Sequence, residues 1–349
     1  MNRLEYWTHP LALRHRWTIA TSVEQGGRTH SENVFLRLHL GDGPCGQGEA
    51  PPLMRYGQNT EDIVTWLRRL PLRELDGKDP SGTLARLPAL MPPCSSALCA
   101  LDTALHDLAA TRAGKPLYSS LDLPAPRPQP TSFSIGITDP AALPAKLGEA
   151  REYSILKVKL GGPHDRQTLE EIRRTLPRSL LRVDANEAWK NAREALAHIG
   201  WLADLGGVEF VEQPMPRHVA PEQWRRLFAR SPLPLYADES IQTPGDISTC
   251  AAVFHGINVK LSKCGGIQPA LALIRAARSH GLKIMLGCMI ESSLLSTAAF
   301  HLSSLADHLD LDGPLLISND PYRGLACRAG VLSLADPASP GLGVRHEGG

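Results

Sequence analysis

The chain has 349 residues, enough to bury a large core in two domains or in one barrel with an elaboration. Its 37 basic and 36 acidic residues nearly cancel, so no basic field argues for nucleic acid or an anionic membrane, and the expected partner is a small molecule. The opening residues lack the apolar stretch of a signal peptide, and no apolar run approaches the roughly 20 residues of a membrane span, which makes a cytoplasmic protein the expectation.

Strands joined by turns are predicted first. WTIATS runs toward GGRTHSEN, and NVFLRLHL follows with Val34, Leu36, Leu38 and Leu40 on one face of an alternating strand. GDGPCGQGEA then turns the chain. It matches G-x-G-x-x-G at Gly41, Gly43 and Gly46, but Pro44 interrupts it and no helix pattern follows, so a hairpin is expected and not a dinucleotide site. TEDIVTWLRRL reads as a helix capped by Thr60, and SSALCALDTALHDLAATRAG as another, with Leu98, Leu101, Leu105 and Leu108 on one stripe and Gly114 and Pro116 at its end. These residues form an α+β unit over 1–124, and the proline-rich SLDLPAPRPQPTS marks the boundary after it.

From TSFSIGI onward short β-branched strands alternate with helices, with strand ends near Ile135, Lys159, Asp184, Glu212, Asp238, Lys260, Gly287 and Asp310. Eight such steps predict an α/β fold with a closed parallel barrel over 125–320, because each parallel neighbour needs a right-handed crossover. An open doubly wound sheet is the rival, but it gathers ligands at one switch point, whereas every strand end here is polar or charged. Residues 321–349 read as a tail returning to the first unit. Seven scattered cysteines (Cys45, Cys94, Cys99, Cys250, Cys264, Cys288 and Cys327) show no C-x-x-C spacing, so neither disulfides nor thiolate zinc fit, and each is read as a small buried hydrophobe.

The strand ends carry the chemistry. LKVKL holds Lys157 and Lys159, VDANEAW holds Asp184, VEQP holds Glu212, YADES holds Asp238 and INVKLSKCGG holds Lys260. The steps from Lys159 to Lys260 are 25, 28, 26 and 22 residues, each one strand plus one returning helix. Side chains at these ends share one mouth, so residues far apart in sequence become neighbours. Asp184, Glu212 and Asp238 would offer three carboxylate oxygens with no histidine or cysteine among them, a set suited to a hard cation such as Mg²⁺ and not to zinc. Taken one at a time, each acid is equally well explained as a helix cap. Lys159 and Lys260 flank the trio and would address opposite faces of a carbon acid, their pKa values depressed by burial and a nearby cation. Lys157, on the same strand face as Lys159, would tune it or contact a substrate carboxylate, while Lys263 is expected to point to solvent. Asn186 would orient the trio and Glu239 would hold Lys260 or another cation. His164, His198, His255, His280, His301 and His308 lack metal-ligand spacing and are read as structural or solvated.

Together KVK, DANEAW, EQP, ADES and KLSKCGG resemble the enolase superfamily in its muconate-lactonizing-enzyme-like subgroup. The similarity covers nearly the whole chain, including GEAPP, the ALDTALHDLAA helix and the PGLG tail. The resemblance implies a (β/α)₇β TIM-like barrel with an N-terminal α+β capping domain, and one Mg²⁺ per subunit on the three acids. It also implies a lysine that removes the proton beside a metal-held carboxylate to give an Mg-stabilised enediolate.

The eighth strand, HLDLDGPLL, resembles the D-x-D motif of dipeptide epimerases, in which Asp310 and Asp312 would receive the ammonium of a dipeptide. A turn or helix cap at Gly313 and Pro314 is the plainer explanation of these two. GCMIESSL is similar to the seventh strand of those epimerases, with Cys288, Met289 and Glu291 near the pocket, and Tyr56 falls where the family has a closing loop. Arg28 lies in a segment similar to the family's other closing loop. If it enters the site, an acidic side chain is favoured and the activity is of the L-Ala-D/L-Glu epimerase type; otherwise it is a solvated turn residue. A cycloisomerase, an o-succinylbenzoate synthase or an N-acylamino-acid racemase of the same subgroup stays open, as does a non-catalytic binding barrel. Barrels of this family often associate, so a homo-oligomer stays open, and the sequence does not fix the oligomeric state.

Overall fold

The computed structural model describes residues 2–347. The chain begins as an antiparallel sheet in which Arg3–Trp17 pairs with Arg28–His39, and Arg28–His39 pairs with Gly46–Ala50. The GDGPCG segment is therefore the turn of a hairpin. Val34, Leu36 and Leu38 are fully buried, as their alternation predicts, against Leu101, Leu105 and Leu108 of the helix Ser95–Arg112. The opposite face is covered too: Phe35 stacks on Trp7 and on Tyr322 from the tail, so this strand is buried on both sides. WTIATS is a strand only as far as Trp17, and Ala20–Ser22 is a single 3₁₀ turn.

The first helix, Thr60–Arg68, is capped by Asn59 and not by Thr60. Asn59 Oδ1 accepts from Asp62 N at 3.0 Å, and Asp62 Oδ2 accepts from Asn59 N at 2.9 Å, a reciprocal box, while the Thr60 hydroxyl donates away from the helix to Glu32 O.

Eight parallel strands follow in sequence order: Phe133–Ile135, Ile155–Lys159, Leu180–Asp184, Val208–Glu212, Leu235–Ala237, Gly256–Lys260, Lys283–Gly287 and His308–Asp310. A bridge between Thr131 and Leu309 joins the last to the first, so the sheet is a barrel and not an open doubly wound sheet. Returning helices alternate with the strands through Ser293–Phe300, and after the eighth strand only the short turn Gly313–Leu316 remains, which is the (β/α)₇β pattern.

The tail packs in two directions. Tyr322–Arg323 pairs with Arg345–His346 beside the first sheet, whereas Val331–Leu334 pairs with Gln129–Pro130 at the start of the barrel segment. Among the described residues no helix is long and apolar enough to cross a membrane.

Candidate active site

Strand register sets the geometry. Lys159, Asp184 and Glu212 stand level on the second, third and fourth strands, and Lys260, Gly287 and Asp310 stand level on the sixth, seventh and eighth. Asp184, Glu212 and Asp238 bring one carboxylate oxygen each to within 4.8 Å of one another, and all three are buried. Glu212 Oε2 is shielded from solvent and has the Lys157 ammonium 2.8 Å away. Three buried carboxylates that converge with no nitrogen or sulfur ligand among them fit a divalent cation of the Mg²⁺ kind.

The backbone of this end is built around the trio. After the third strand Asn186 and Glu187 take positive φ values of 42° and 66°, which turns Asn186 N onto Asp184 Oδ1 at 2.9 Å. Asn186 Nδ2 donates to Glu239 Oε1 at 3.2 Å, so the hydrogen-bond partner of Glu239 is Asn186, while Lys260 reaches Asp238 instead. Gln213 Oε1 accepts from Asp238 N at 3.0 Å and Asn258 Nδ2 donates to Glu212 Oε1 at 2.8 Å. Neither Gln213 nor Asn258 was singled out from sequence, although both lie in segments already flagged, and Asn258 shares the strand face of Lys260. Gly287 is required beside Asn258: a Cβ there would lie 2.2 Å from Asn258 Oδ1.

Lysines occupy both flanks. Lys159 Nζ donates to Asp184 Oδ2 at 2.6 Å and Lys260 Nζ to Asp238 Oδ2 at 2.9 Å, so each ammonium sits on an outer member of the trio. Burial disfavours charge on Lys260, but the Asp238 carboxylate outweighs it and raises its pKa above the ordinary lysine value. Burial would likewise raise Asp238, yet Lys260 and Lys263 hold it well below the usual carboxylate range. Glu212, with burial and Asp184 both disfavouring its charge, is pushed up to about 7.

Lys263 does not point to solvent. It is buried in the turn Leu261–Cys264 and donates to the carboxylate and backbone carbonyl of Asp238, and to Asn258 O at 3.3 Å. Lys157 is buried as well, with Nζ 2.6 Å from Asp310 Oδ2 and 2.8 Å from Glu212 Oε2.

On the eighth strand Asp310 also accepts from Ser132 Oγ at 2.5 Å, and Asp312 Oδ2 accepts from Ser134 N at 2.7 Å. Burial opposes ionisation of Asp310, but Lys157 and Lys159 bring it down to about 2, whereas burial and Asp310 push Asp312 up to about 6. The helix-cap explanation fails for Asp312, whose side chain caps nothing in Gly313–Leu316. Cys288 Sγ lies 3.7 Å from Asp312 Oδ1, and Met289 N donates to Glu291 Oε2 at 3.2 Å.

Two loops of the capping domain reach this end. Trp17, the sheet partner of Arg28, has its ring 6.0 Å from Lys159 Nζ, and Arg28 is half-buried with no acidic partner among the described residues. Arg55 ion-pairs with Glu187, and the Tyr56 ring stands 5.9 Å from the Arg217 guanidinium.

A family model described as Enolase C-terminal domain-like matches residues 141–347. The chain belongs to that family, the enolase superfamily. An L-Ala-D/L-amino acid epimerase of Pedosphaera parvula is 41% identical over 347 residues, covering 99% of this chain and all of that one. An L-Ala-D/L-Glu epimerase of Bacteroides thetaiotaomicron is 37% identical, covering 98% of this chain and 87% of the other. The crystal structure of a dipeptide epimerase from Cytophaga hutchinsonii, complexed with Mg and the dipeptide D-Ala-L-Val, superposes with a TM-score of 0.90 at 27% identity, covering 100% of this chain and 96% of that one. Within the superfamily the chain is most like dipeptide epimerases, and it is an enzyme of the isomerase class.

Proposed function

We propose that this enzyme inverts the Cα of the C-terminal residue of a dipeptide by a two-base 1,1-proton transfer. The placement of Lys159 and Lys260 on the two outer members of one buried carboxylate trio carries this reading. Asp184, Glu212 and Asp238 would hold the Mg²⁺, one per subunit, which when bound supplies positive charge to the substrate carboxylate as electrons move into it.

The rest falls to the chain's own side chains. One lysine, as the free amine, takes the Cα proton; the C–H electron pair delocalises into the adjacent carboxylate as an enediolate. The opposite ammonium then returns a proton to the other face, so the carbon is inverted and the enzyme ends with its two lysines exchanged in protonation. Lys157 neutralises Glu212 and Asp310 and lowers the electrostatic cost of the negative charge gathered there. Asp312, which has no lysine of its own in hydrogen-bond range, is the acceptor for the substrate ammonium, and Cys288 and Met289 line the wall beside it. Arg28, without an acidic partner, favours an acidic side chain at the inverted residue, which points to substrates of the L-Ala-D/L-Glu kind.

N-acyl substrates lack the ammonium that a second carboxylate would receive, so Asp312 argues against a racemase of acylated amino acids. The test is incubation with L-Ala-L-Glu and a panel of other dipeptides in deuterated water with Mg²⁺, following deuterium at the C-terminal Cα by NMR. Incorporation is expected, and single Lys159→Ala and Lys260→Ala variants should each keep exchange with one epimer only. Absence of exchange with every dipeptide would overturn the reading.

A further inference from the structure

The sequence places a double glycine, Gly265 and Gly266, just before the helix Ile267–Ser279, where a serine, aspartate or asparagine ordinarily supplies an N-cap. No local side chain caps this helix. The acceptor comes instead from the capping domain: Asp102, in the helix Ser95–Arg112, accepts from Ile267 N at 2.7 Å and from Gln268 N at 3.2 Å. Asp102 is completely buried, so these amides, with the positive end of the helix behind them, are its compensation.

The fit is steric as well as polar. Leu98 and Asp102 are four residues apart on one helix face, and they lie on Gly265 and Gly266 respectively. A Cβ on Gly265 would come 3.2 Å from Leu98 Cδ2; one on Gly266 would come 2.5 Å from the Asp102 carboxyl carbon, at a φ of +123° that L residues rarely adopt. The double glycine thus lets the capping domain reach the barrel backbone directly.

Between Lys260 and that helix runs one short turn. Gly265 N and Gly266 N both donate to Leu261 O, at 2.9 and 2.8 Å. From below, Lys263 fastens the turn to Asp238 and Asn258; from above, Asp102 fastens its far end. Lys260 itself is the last residue of its strand and has its ammonium on Asp238. No comparable link from Asp102 reaches Lys159, which stands on the second strand.

We propose that Asp102 is a positioning residue for Lys260, fixing the turn after the sixth strand so that this lysine meets its face of the substrate carbon. The proposal rests on the reading of Lys260 as one of the two bases. A capping domain that serves as a lid over the mouth is then also part of the proton-transfer geometry on one side.

The experiment uses full-length Asp102→Ala and Asp102→Asn enzymes with Mg²⁺. It measures Cα proton exchange for each epimer of an Ala-Glu dipeptide in deuterated water, the two lysine variants showing which epimer each lysine serves. In Asp102→Ala, exchange on the Lys260 face should fall roughly tenfold, as a small misplacement of a reacting group does. The Lys159 face should change by less than about twofold. KM should stay close to wild type while kcat falls, and Asp102→Asn, which keeps one carbonyl acceptor, should recover part of the loss. In parallel, amide hydrogen exchange should rise in Asp102→Ala across residues 261–268 and not across 155–160. Equal loss on both faces, or unchanged protection across 261–268, would overturn the proposal. If the wild-type enzyme exchanges no dipeptide proton, the functional reading fails by itself, and the amide exchange alone decides whether Asp102 fixes the turn.

Discussion

Lys157 Nζ and Asp310 Oδ2 are 2.6 Å apart, an ion pair buried between the second and eighth barrel strands. It divides the labour of the two aspartates. Asp310 pairs with Lys157 and Ser132, whereas Asp312, two residues on, has no lysine at ion-pair distance among the described residues and one oxygen on Ser134 N.

That division predicts different defects for two similar substitutions. Asp310→Asn should destabilise the fold by up to about 3 kcal/mol, because it strips a carboxylate from a buried ammonium that keeps only Glu212 and Asp184. Asp312→Asn should leave the denaturation midpoint nearly unchanged and raise KM for free dipeptides by roughly ten- to a hundredfold, the weight of a charge-assisted contact. Urea unfolding and steady-state kinetics separate the two; a large stability loss in Asp312→Asn would show that the roles are not divided this way.

The barrel and its trio were legible in the sequence because both depend on a repeat: strands ending every 22 to 28 residues place Asp184, Glu212 and Asp238 at one mouth whatever the loops do. What escaped were contacts that the repeat does not encode. Lys263 reads as a helix-surface residue three positions after Lys260, and only the fold shows that Asp238, 25 residues away in sequence, receives its ammonium. Glu239 was expected to hold Lys260 or another cation, and the hydrogen bond it makes with the Asn186 amide is one that the spacing of the strands does not encode. The cap at Asn59 was missed by one residue because Thr60 carries the same kind of oxygen. Asp102 could not be read as a cap at all, since its helix amides lie 165 residues further on.

Arg28 gives a test of side-chain selectivity. It is half-buried beside Trp17 with no carboxylate partner among the described residues, so a substrate glutamate would gain a charge-assisted pair that an alanine cannot. Arg28→Met should lower kcat/KM for L-Ala-L-Glu by about a hundredfold, some 2–3 kcal/mol, and leave L-Ala-L-Ala within about twofold. A parallel loss on both substrates would mean that Arg28 supports the loop and not the selectivity.

Removal of divalent metal should abolish proton exchange, and added Mg²⁺ should restore it. Mg²⁺ that binds the folded trio and not the unfolded chain should, at a hundred times its dissociation constant, stabilise the fold by about 2.7 kcal/mol. Asp238→Asn should remove both effects in calorimetric titration. Full activity in chelator would exclude a metal role for the trio.

The last prediction concerns pH. Glu49, fully buried in the capping-domain sheet, accepts from Ser292 N, from Ser292 Oγ at 2.5 Å and from Asn33 Nδ2 at 2.7 Å, tying that sheet to the start of the barrel helix Ser293–Phe300. Burial outweighs these donors and pushes its carboxyl from 4.5 up to about 7. An acid raised on folding binds more protons folded than unfolded, so its contribution is complete below pH 4.5 and is lost as pH climbs to 7. The loss is on the order of 3 kcal/mol at most. Asp107, raised to about 6, and Asp102, raised to about 8, tilt the curve the same way. Glu49→Gln should be less stable than wild type at pH 5, because its amide nitrogen cannot accept a hydrogen bond where the hydroxyl oxygen of the protonated carboxyl still can, a cost of about 1–3 kcal/mol. Its stability should nevertheless decline less between pH 5 and pH 8, since one ionisation has been removed. Urea unfolding of both proteins at the two pH values measures this directly, and equal slopes would show that Glu49 does not ionise in that range.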